Sequence, residues 1–350
     1  MQLPATFARR AGAACVLAAV VLVASCADGP PFVELRLYSM GTWVDIAVEP
    51  PADGAATAAL AEIEALLRDF EVDYYAWADG ELARLNDALQ AGRTATVSAE
   101  MAALLEQARR LSAQSGGAFD PAVGRLVELW GFHSALEPPA APPPDEAIRA
   151  WLVSGARIDA LRVDGRRVTA SVRDIQLDLG GIAKGEAVDR IVDLLRRHGV
   201  RNAMVNAGGD LRVIGTRGER PWRIGIQDPR EDGVLAVVEL GDGDAAFTSG
   251  DYERYVEHDG RRMHHILDPR TGYPAGDTRA VTVIAKQGVL ADAAATALFV
   301  AGEGWRAAAR SLAIDSVLRV DASGKVEVTK AMQRRLTAGS TREVDVVAES

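Results

Sequence analysis

The sequence has 350 residues, of which 48% are hydrophobic and 25% are charged. This composition is typical of a folded globular protein with one large domain or two, and it excludes a disordered or fibrous chain. Lysines and arginines number 39 against 49 aspartates and glutamates, so the formal net charge is −10. Because no dense basic run occurs either, we expect no broad surface for binding nucleic acid.

The N-terminal segment has the pattern of an export signal. Arg9 and Arg10 precede a run over residues 11–24 that is almost wholly apolar and uncharged. Such a run matches the hydrophobic region of a secretory signal and is too short to span a membrane comfortably. We therefore predict that the chain is exported.

The apolar run ends in a sequence that predicts a lipid anchor. Residues 23–26 read Val-Ala-Ser-Cys, which resembles a bacterial lipobox with cleavage before Cys26. This pattern predicts a lipoprotein signal peptide over 1–25, a lipidated Cys26 and a tether over 26–32, with acyl chains that hold the protein to a bacterial membrane. The folded body would then face the periplasm or the cell exterior. A plain signal peptide that is cleaved nearby is the alternative.

Helices and strands are interspersed along the remaining chain. Alternating apolar residues predict strands over 33–38, 42–48, 161–163, 167–172, 175–179, 203–205, 211–214, 222–226, 235–240 and 280–284. Apolar residues at helical spacing predict helices over 55–70, 98–113, 183–197 and 290–301, with Ser98 as an N-cap and Gly199 just beyond the third helix. This mixture predicts an α+β fold with mixed or antiparallel sheets and flanking helices.

Two segments are predicted to be irregular. Five prolines between residues 136 and 145 exclude a helix and a central strand there, so the stretch is predicted to be a surface loop or a domain seam. Residues 334–350 are predicted to form a loosely ordered tail. The folded body is therefore expected over residues 33–333.

Four glycine-containing segments could bring backbone amides close to a phosphate or a sugar. They cover residues 115–121, 178–185, 206–210 and 248–252. The second runs into a predicted helix, so free amides, the positive end of the helix dipole and Lys184 meet at a point that favours an anion. It is neither a Walker loop nor a dinucleotide-binding turn. Each segment alone is also compatible with an ordinary turn or with packing.

Two histidines and a helical Asp-Thr pair are further candidates. His264 and His265 are adjacent, so in a strand they point to opposite faces. The sequence does not indicate a zinc site, because it has no third ligand at a zinc-binding spacing. Asp292 and Thr296 are four residues apart on a predicted helix and share one face. Their oxygens suit a hard cation such as Mg²⁺, although capping at the protein surface is the alternative.

These motifs together resemble the ApbE family of flavin transferases. The similarity follows the family's order over residues 38–42, 81–86, 117–121, 129–132, 178–185, 205–210, 248–252, 265–272 and 291–296. It implies an ApbE-like fold and a Mg²⁺-dependent enzyme that binds FAD and breaks its pyrophosphate. Such an enzyme transfers FMN to a threonine or serine hydroxyl of a partner protein and releases AMP.

The resemblance also implies which residues form the site. The residues that it assigns to the FAD site are Met40, Trp77, Ala118, Phe119, Asp120, Asp178, Lys184 and Ile266. It implies that Mg²⁺ is held by Asp292, Thr296 and the backbone carbonyl of Gly181. The chain departs from the family pattern just after Trp77, where the linker is one residue shorter and Gly80 takes the place of a serine.

The attacking hydroxyl needs a base, and His265 is the first candidate. A histidine suits proton transfer at neutral pH, and His265 adjoins Ile266 in the family-like segment. Asp268 is the next candidate. The remaining histidines, His133, His198 and His258, are predicted to be solvated.

The resemblance points to acceptor proteins outside the cytoplasmic membrane. Subunits of membrane redox complexes and flavin-carrying domains are the expected acceptors. Two other functions share every motif: a periplasmic FAD pyrophosphatase that yields FMN and AMP, and a flavin-binding lipoprotein without catalysis.

Overall fold

The computed structural model describes residues 19–20, 32–49, 55–134, 141–258, 260–337 and 344–347. Cys26, nearly all of the predicted signal peptide and tether, and residues 135–140 of the proline-rich segment lie outside the described residues. No helix in the described ranges is long and apolar enough to cross a membrane.

The described residues form strands and helices along the whole folded body. The strands are β1 (Ala19–Val20), β2 (Val33–Ser39), β3 (Thr42–Val48), β4 (Ala95–Thr96), β5 (Leu161–Asp164), β6 (Arg167–Ala170), β7 (Ala203–Ala207), β8 (Asp210–Ile214), β9 (Trp222–Gln227), β10 (Val234–Leu240), β11 (Ala245–Gly250), β12 (Tyr255–His258), β13 (Arg261–His264), β14 (Thr278–Ala285), β15 (Ser316–Asp321), β16 (Val326–Thr329) and β17 (Asp345–Val347). The helices are α1 (Ala55–Tyr74), α2 (Glu81–Gln90), α3 (Ala99–Gln114), α4 (Gly124–Leu129), α5 (Asp145–Ser154), α6 (Ala183–Arg197), α7 (Gly288–Ala301), α8 (Trp305–Ser311) and α9 (Lys330–Gln333), with 3₁₀ helices at Ile158–Ala160 and Gly302–Gly304.

One sheet of ten strands organises the fold. Its strand order is β1-β2-β3-β7-β8-β11-β14-β15-β16-β17. Neighbouring strands are antiparallel except β16 and β17, which are parallel. A small sheet β4-β6-β5 and the hairpins β9-β10 and β12-β13 complete the strands. The predicted α+β fold with mixed and antiparallel sheets is confirmed.

The large sheet buries side chains on both of its faces. On β11, Phe247 joins a core formed with helices α1, α6 and α7, whereas its neighbour Ala246 joins a second core. The second core contains Trp222 of the β9-β10 hairpin. A smaller cluster around Trp130 and Trp151 connects α4 with α5. The alternation of a strand between two faces explains why β11 has apolar residues at consecutive positions.

Helices α6 and α7 touch through glycines in their first turns. A Cβ on Gly185 would overlap the backbone of Gly288, and a Cβ on Gly288 would lie 2.7 Å from the Gly185 carbonyl oxygen. Real side chains do not tolerate such distances, so this approach requires glycine at both positions. The contact places the N-terminal ends of the two helices side by side.

Most predicted elements are present, and several bounds are close to the expected ones. The hairpin β2-β3, helix α6 over 183–197 and helix α7 were all predicted, and Ser98 accepts a hydrogen bond from the Met101 amide at 3.1 Å as an N-cap. Gly199 follows α6 with φ +76°, the conformation that favours glycine beyond a helix end. Five short helices, α2, α4, α5, α8 and α9, were not predicted.

The strand predicted over 175–179 is absent as a regular element. The segment makes one isolated bridge, from Gln176 to Val123, and its Leu177 pairs with the side chain of Asn86 instead of with a strand. Ile175, Leu177 and Leu179 are nevertheless buried. The alternation therefore predicted the burial of these side chains correctly, although the hydrogen bonds of the segment go to Asn86, Pro121 and Gly124 and not to a regular strand.

Part of the predicted tail belongs to the fold. The Thr337 amide donates to the Val237 carbonyl at 2.9 Å, and the Arg335 side chain reaches the buried carboxylate of Asp244 at 2.6 Å. Strand β17 adds to the edge of the large sheet beside β16. Residues 334–337 and 345–347 are therefore ordered parts of the structure, in contrast to the prediction.

Replacing Gly288 by alanine should destabilise the protein by separating α6 from α7. We expect a loss of about 1–3 kcal/mol in the free energy of unfolding, the usual cost of forcing an extra group into a packed core. Gly304→Ala is the matched control, because a Cβ there meets nothing within 4 Å. Urea unfolding of both variants measures the difference, and equal stabilities would contradict the proposed contact.

Candidate functional site

The segment that leads into α6 is held by side chains from distant parts of the chain. Asn86 of α2 donates from Nδ2 to the Leu177 carbonyl at 2.9 Å and accepts the Leu177 amide at 2.8 Å. Asp178 then accepts the Gly180 amide at 2.8 Å and the Trp77 indole N–H at 3.1 Å. The turn before α6 is therefore fixed on both sides, and Trp77 is brought to it.

Lys184 lies among carboxylates at the start of α6. Its ammonium forms an ion pair with Asp210 at the start of β8, and Asp210 also accepts the Thr248 amide at 2.8 Å. Burial alone would lower the pKa of Lys184, but Asp210, Glu253 and Asp292 outweigh that effect and raise the pKa. Lys184 is therefore a permanent cation at the positive end of the α6 dipole.

Asp292 of α7 reaches back to the first turn of α6. Its Oδ2 accepts the Gly185 amide at 2.9 Å. Burial raises the pKa of Asp292. The nearby carboxylates of Asp210 and Glu253 also raise it, whereas Lys184 lowers it. Among the described residues, the other carboxylate oxygen of Asp292 accepts no hydrogen bond from the protein. That oxygen is available to a ligand.

The predicted metal ligands Asp292 and Thr296 lie on neighbouring turns of α7, and Thr296 lies close to Gly181. Thr296 lies one helical turn beyond Asp292, and its Oγ1 is 3.3 Å from the Ser249 hydroxyl on β11. A Cβ on Gly181 would lie 3.3 Å from Thr296 Oγ1 and 3.5 Å from the Phe119 ring. A side chain at position 181 would therefore fill the space between the loop and α7.

The donor set fits a hard cation. No group of three or more His, Cys, Asp or Glu side chains in the described ranges could hold a metal ion. The set here is one carboxylate, hydroxyl oxygens and a backbone carbonyl, which suits Mg²⁺ and leaves positions for water and phosphate oxygens. Softer metals that prefer histidine or cysteine are not favoured by these atoms.

The loop over residues 118–122 contributes buried residues behind this point. Ala118 and Phe119 are buried, and Phe119 lies next to Gly181. The carboxylate of Asp120 accepts the amides of Ala122 at 2.9 Å and Ile158 at 3.1 Å. Burial raises the pKa of Asp120 to about 6, although these amides favour its charged form. Asp120 therefore holds the loop in shape, a role that the sequence did not predict.

The turn at Met40 packs beside the turn between β7 and β8. Met40 has φ +54°, a left-handed conformation that costs free energy for a residue other than glycine. A Cβ on Gly208 would overlap the Thr42 side chain, and the Gly208 amide donates to the Trp43 carbonyl at 3.0 Å. The Met40 turn thus adjoins the turn that ends at Asp210.

The departure after Trp77 has a structural explanation. A Cβ on Gly80 would overlap the Val72 carbonyl oxygen, so no serine fits there. The helix α2 that follows takes its cap from Asp73 instead, whose Oδ1 accepts the Glu81 amide at 3.2 Å. Trp77 still reaches Asp178.

Three of the histidines make contacts within the fold. His264 is buried, lies 2.7 Å from the Ala275 carbonyl through Nε2 and packs edge-on against Phe299. His133, predicted to be solvated, instead packs its ring 5.1 Å from that of Trp77, and its Nδ1 is buried. His198 pairs with Glu62 at 3.1 Å.

His265 and Asp268, the two candidate bases, differ in their hydrogen bonds. His265 Nδ1 lies 3.2 Å from the Arg254 carbonyl, which only accepts, so Nδ1 donates and Nε2 keeps its lone pair. Burial, then Arg254, His264 and Lys184, lower its pKa well below the ordinary value. Asp268 is paired through both oxygens with Arg270 at 2.9 Å. Ile266, which directly follows His265, is buried in the main core.

Relatives of known name share this chain's sequence over most of its length. It is 42% identical to a protein of Rhodobacter capsulatus named FAD:protein FMN transferase, over 88% of this chain and 59% of that protein. A Vibrio cholerae protein of the same name is 36% identical over 82% of this chain and 86% of that protein. The chain thus spans about three fifths of the Rhodobacter relative.

Solved structures and a family model agree with these relatives. The crystal structure of the ApbE protein of Thermotoga maritima superposes with a TM-score of 0.79 at 35% identity, over 89% of this chain and 100% of that one. The flavin transferase ApbE of Vibrio cholerae gives 0.78 at 32%, over 87% and 99%. The model of the ApbE family matches residues 40–318. With this match over most of its length, the chain belongs to the ApbE family.

Proposed function

We propose that this protein transfers FMN from FAD to a threonine or serine hydroxyl of a partner protein and releases AMP, with Mg²⁺ as its cofactor. The observation that carries the proposal is the meeting of Lys184, Asp292, Thr296 and the Gly181 backbone at the start of α6. The names of the relatives support the same activity. An FAD pyrophosphatase and a flavin-binding lipoprotein without catalysis are the two alternatives, and an assay with FAD and a candidate acceptor distinguishes them.

The chemistry exchanges one phosphorus–oxygen bond for another. The acceptor oxygen forms a bond to the FMN phosphorus, the bond from that phosphorus to the bridging oxygen breaks, and AMP leaves with the bridging oxygen. Mg²⁺ held by Asp292, Thr296 and the Gly181 carbonyl would neutralise charge on the pyrophosphate. Lys184 at the start of α6 would bind and orient the phosphates.

The proton of the acceptor hydroxyl goes to His265 in this proposal. The hydrogen bond from Nδ1 to the Arg254 carbonyl fixes the ring, so Nε2 is the accepting atom. Asp268 is engaged by Arg270, which favours His265 over it. His264 is committed to the core by its contact with Ala275.

The aromatic and apolar residues near the turn would bind the rings of FAD. Trp77 is oriented by its hydrogen bond to Asp178, and Phe119 lies beside Gly181. Met40, Ala118 and Ile266 remain proposed contacts from the family resemblance. Asp120 supports the same loop from behind.

We further propose that the protein is an exported lipoprotein anchored through Cys26 to a bacterial membrane. The apolar run and the lipobox-like sequence support this location. Its acceptors would then be subunits of membrane redox complexes or flavin-carrying domains outside the cytoplasmic membrane.

Purified protein incubated with FAD, Mg²⁺ and a candidate acceptor tests the activity. A fluorescent acceptor band in a denaturing gel, together with AMP, supports FMN transfer. AMP without a labelled acceptor supports a pyrophosphatase, and FAD binding without AMP supports a flavin-binding lipoprotein.

Asp292→Ala should abolish Mg²⁺-dependent AMP release, because the site loses its one anionic ligand. We expect a fall of at least about 100-fold, as for the loss of other preorganised electrostatic groups. Thr296→Val should be milder, since water can replace a neutral ligand. Asp193→Ala removes an exposed carboxylate from α6 and serves as the control. Unchanged turnover of Asp292→Ala would refute the site.

His265→Asn should retain FAD binding and transfer FMN about 10²–10⁴-fold more slowly, the usual contribution of a general base. Because the His265 pKa lies below its ordinary value, the wild-type rate should hold as pH falls to about 6.5 and decline only below it. His198→Asn, at a surface ion pair, is the control. Transfer at the wild-type rate in His265→Asn would remove this residue from the mechanism.

Cys26→Ser should yield a protein that is exported but no longer anchored, because thioether lipidation requires the thiol. Fractionation of cells that express the wild type and the variant measures the membrane-bound share. If the variant stays in the membrane fraction and needs detergent for extraction, anchoring has another cause.

A further inference from the structure

Helices α6 and α7 cap each other. Neither has a side-chain hydrogen bond from its own N-cap residue, Ile182 for α6 and Gln287 for α7. Instead, Asp292 of α7 accepts the Gly185 amide in the first turn of α6. In return, Asp189 of α6 accepts the first amides of α7. Unpaired amides at helix ends need such partners when they are buried.

The Asp189 contacts are short and involve both of its oxygens. Oδ1 accepts the Gly288 amide at 2.7 Å, and Oδ2 accepts the Val289 amide at 3.1 Å. Arg212 of β8 donates to Oδ1 at 2.8 Å and also to the Gly243 carbonyl. The side chains of Asp189 and Arg212 are only 16% and 10% exposed. Asp189 therefore joins α6, α7 and the sheet at one buried point.

The two caps have the same spacing and different counter-ions. Gly185 precedes Asp189 by four residues, as Gly288 precedes Asp292. The Asp189 charge is compensated by Arg212, so this carboxylate is used entirely within the protein. Asp292 has Lys184 near it, but Lys184 is already paired with Asp210. One carboxylate of the pair is thus committed to structure and the other keeps an oxygen for a ligand.

We propose that Asp189 is the positioning residue of the metal site, because its cap on α7 fixes the helix that carries Asp292 and Thr296 beside Gly181. The inference rests on the proposed Mg²⁺-dependent function. Asp189 bonds Gly288, Val289 and Arg212, lies outside the proposed ligand set, and acts through the placement of α7. Groups that orient metal ligands commonly affect metal affinity by about 10–100-fold.

The test is the affinity of the full-length protein for Mn²⁺, used as a paramagnetic substitute for Mg²⁺ and followed by electron paramagnetic resonance. We expect Asp189→Ala to bind Mn²⁺ about 10–100-fold more weakly. Its transfer rate should recover at high Mg²⁺, so that the apparent KM for Mg²⁺ rises while kcat changes little. Asp189→Asn keeps one acceptor oxygen and should show a smaller loss.

Ser98→Ala is the matched control for loss of a helix cap. It removes the cap of α3, where the Ser98 side chain bonds the Met101 amide and Glu81, and it should lower the Tm without changing Mn²⁺ affinity. Wild-type Mn²⁺ affinity in folded Asp189→Ala, or an equal loss in Ser98→Ala, would overturn the proposal. If Asp189→Ala does not fold, Asp189→Asn decides in the same way: weaker binding supports the role and wild-type binding refutes it.

The proposed function and this inference fail separately. Mn²⁺ affinity that depends on Asp189 in a protein that does not transfer FMN would refute the proposed function alone. FMN transfer by a protein whose Mn²⁺ affinity is independent of Asp189 would refute the inference alone.

Discussion

The backbone contact between Gly185 and Gly288 is the constraint on which the site depends. With no Cβ at either residue, the first turns of α6 and α7 touch, and the Gly185 amide comes within reach of the Asp292 carboxylate. Helix α7 in turn packs on β11, which supplies the Ser249 hydroxyl beside Thr296. A bulkier residue at the crossing would move Asp292 and Thr296, the proposed cation ligands, away from the start of α6, the proposed anion-binding end. Packing and chemistry are therefore set by the same contact.

The charges at this crossing explain why an anionic substrate and a cation would bind together. Lys184 lies within the field of the carboxylates of Asp210, Glu253 and Asp292, so negative charge exceeds positive charge in the protein alone. Burial raises the pKa of Asp292, which means that its charged form is costly without a further cation. A divalent cation would relieve that cost, and a pyrophosphate would compensate the charge that the cation adds. Each ligand thus improves the site for the other.

The sequence predicted the parts of this site that depend on local pattern. Helix α6 and the Asp292–Thr296 face of α7 follow from helical periodicity, and the cap at Ser98 follows from residue type. The partners that cross between elements were not visible. Asn86 lies on the buried face of α2, where an amide among leucines is unusual, and that was the one signal for its bonds to Leu177. No local sequence pattern indicated that Asp120 would accept the Ile158 amide or that Asp189 would cap α7.

The segment after Trp77 shows how a departure from a family pattern can leave the site intact. Serine in that place would supply a cap for the following helix, and a glycine supplies none. Here Gly80 lies against the end of α1, so that a side chain is excluded and Asp73 of α1 caps α2. The cap has moved to another residue, and Trp77 still donates to Asp178. The position of the indole is therefore set by its hydrogen bond to the α6 turn, and the residue at position 80 need only allow the close approach.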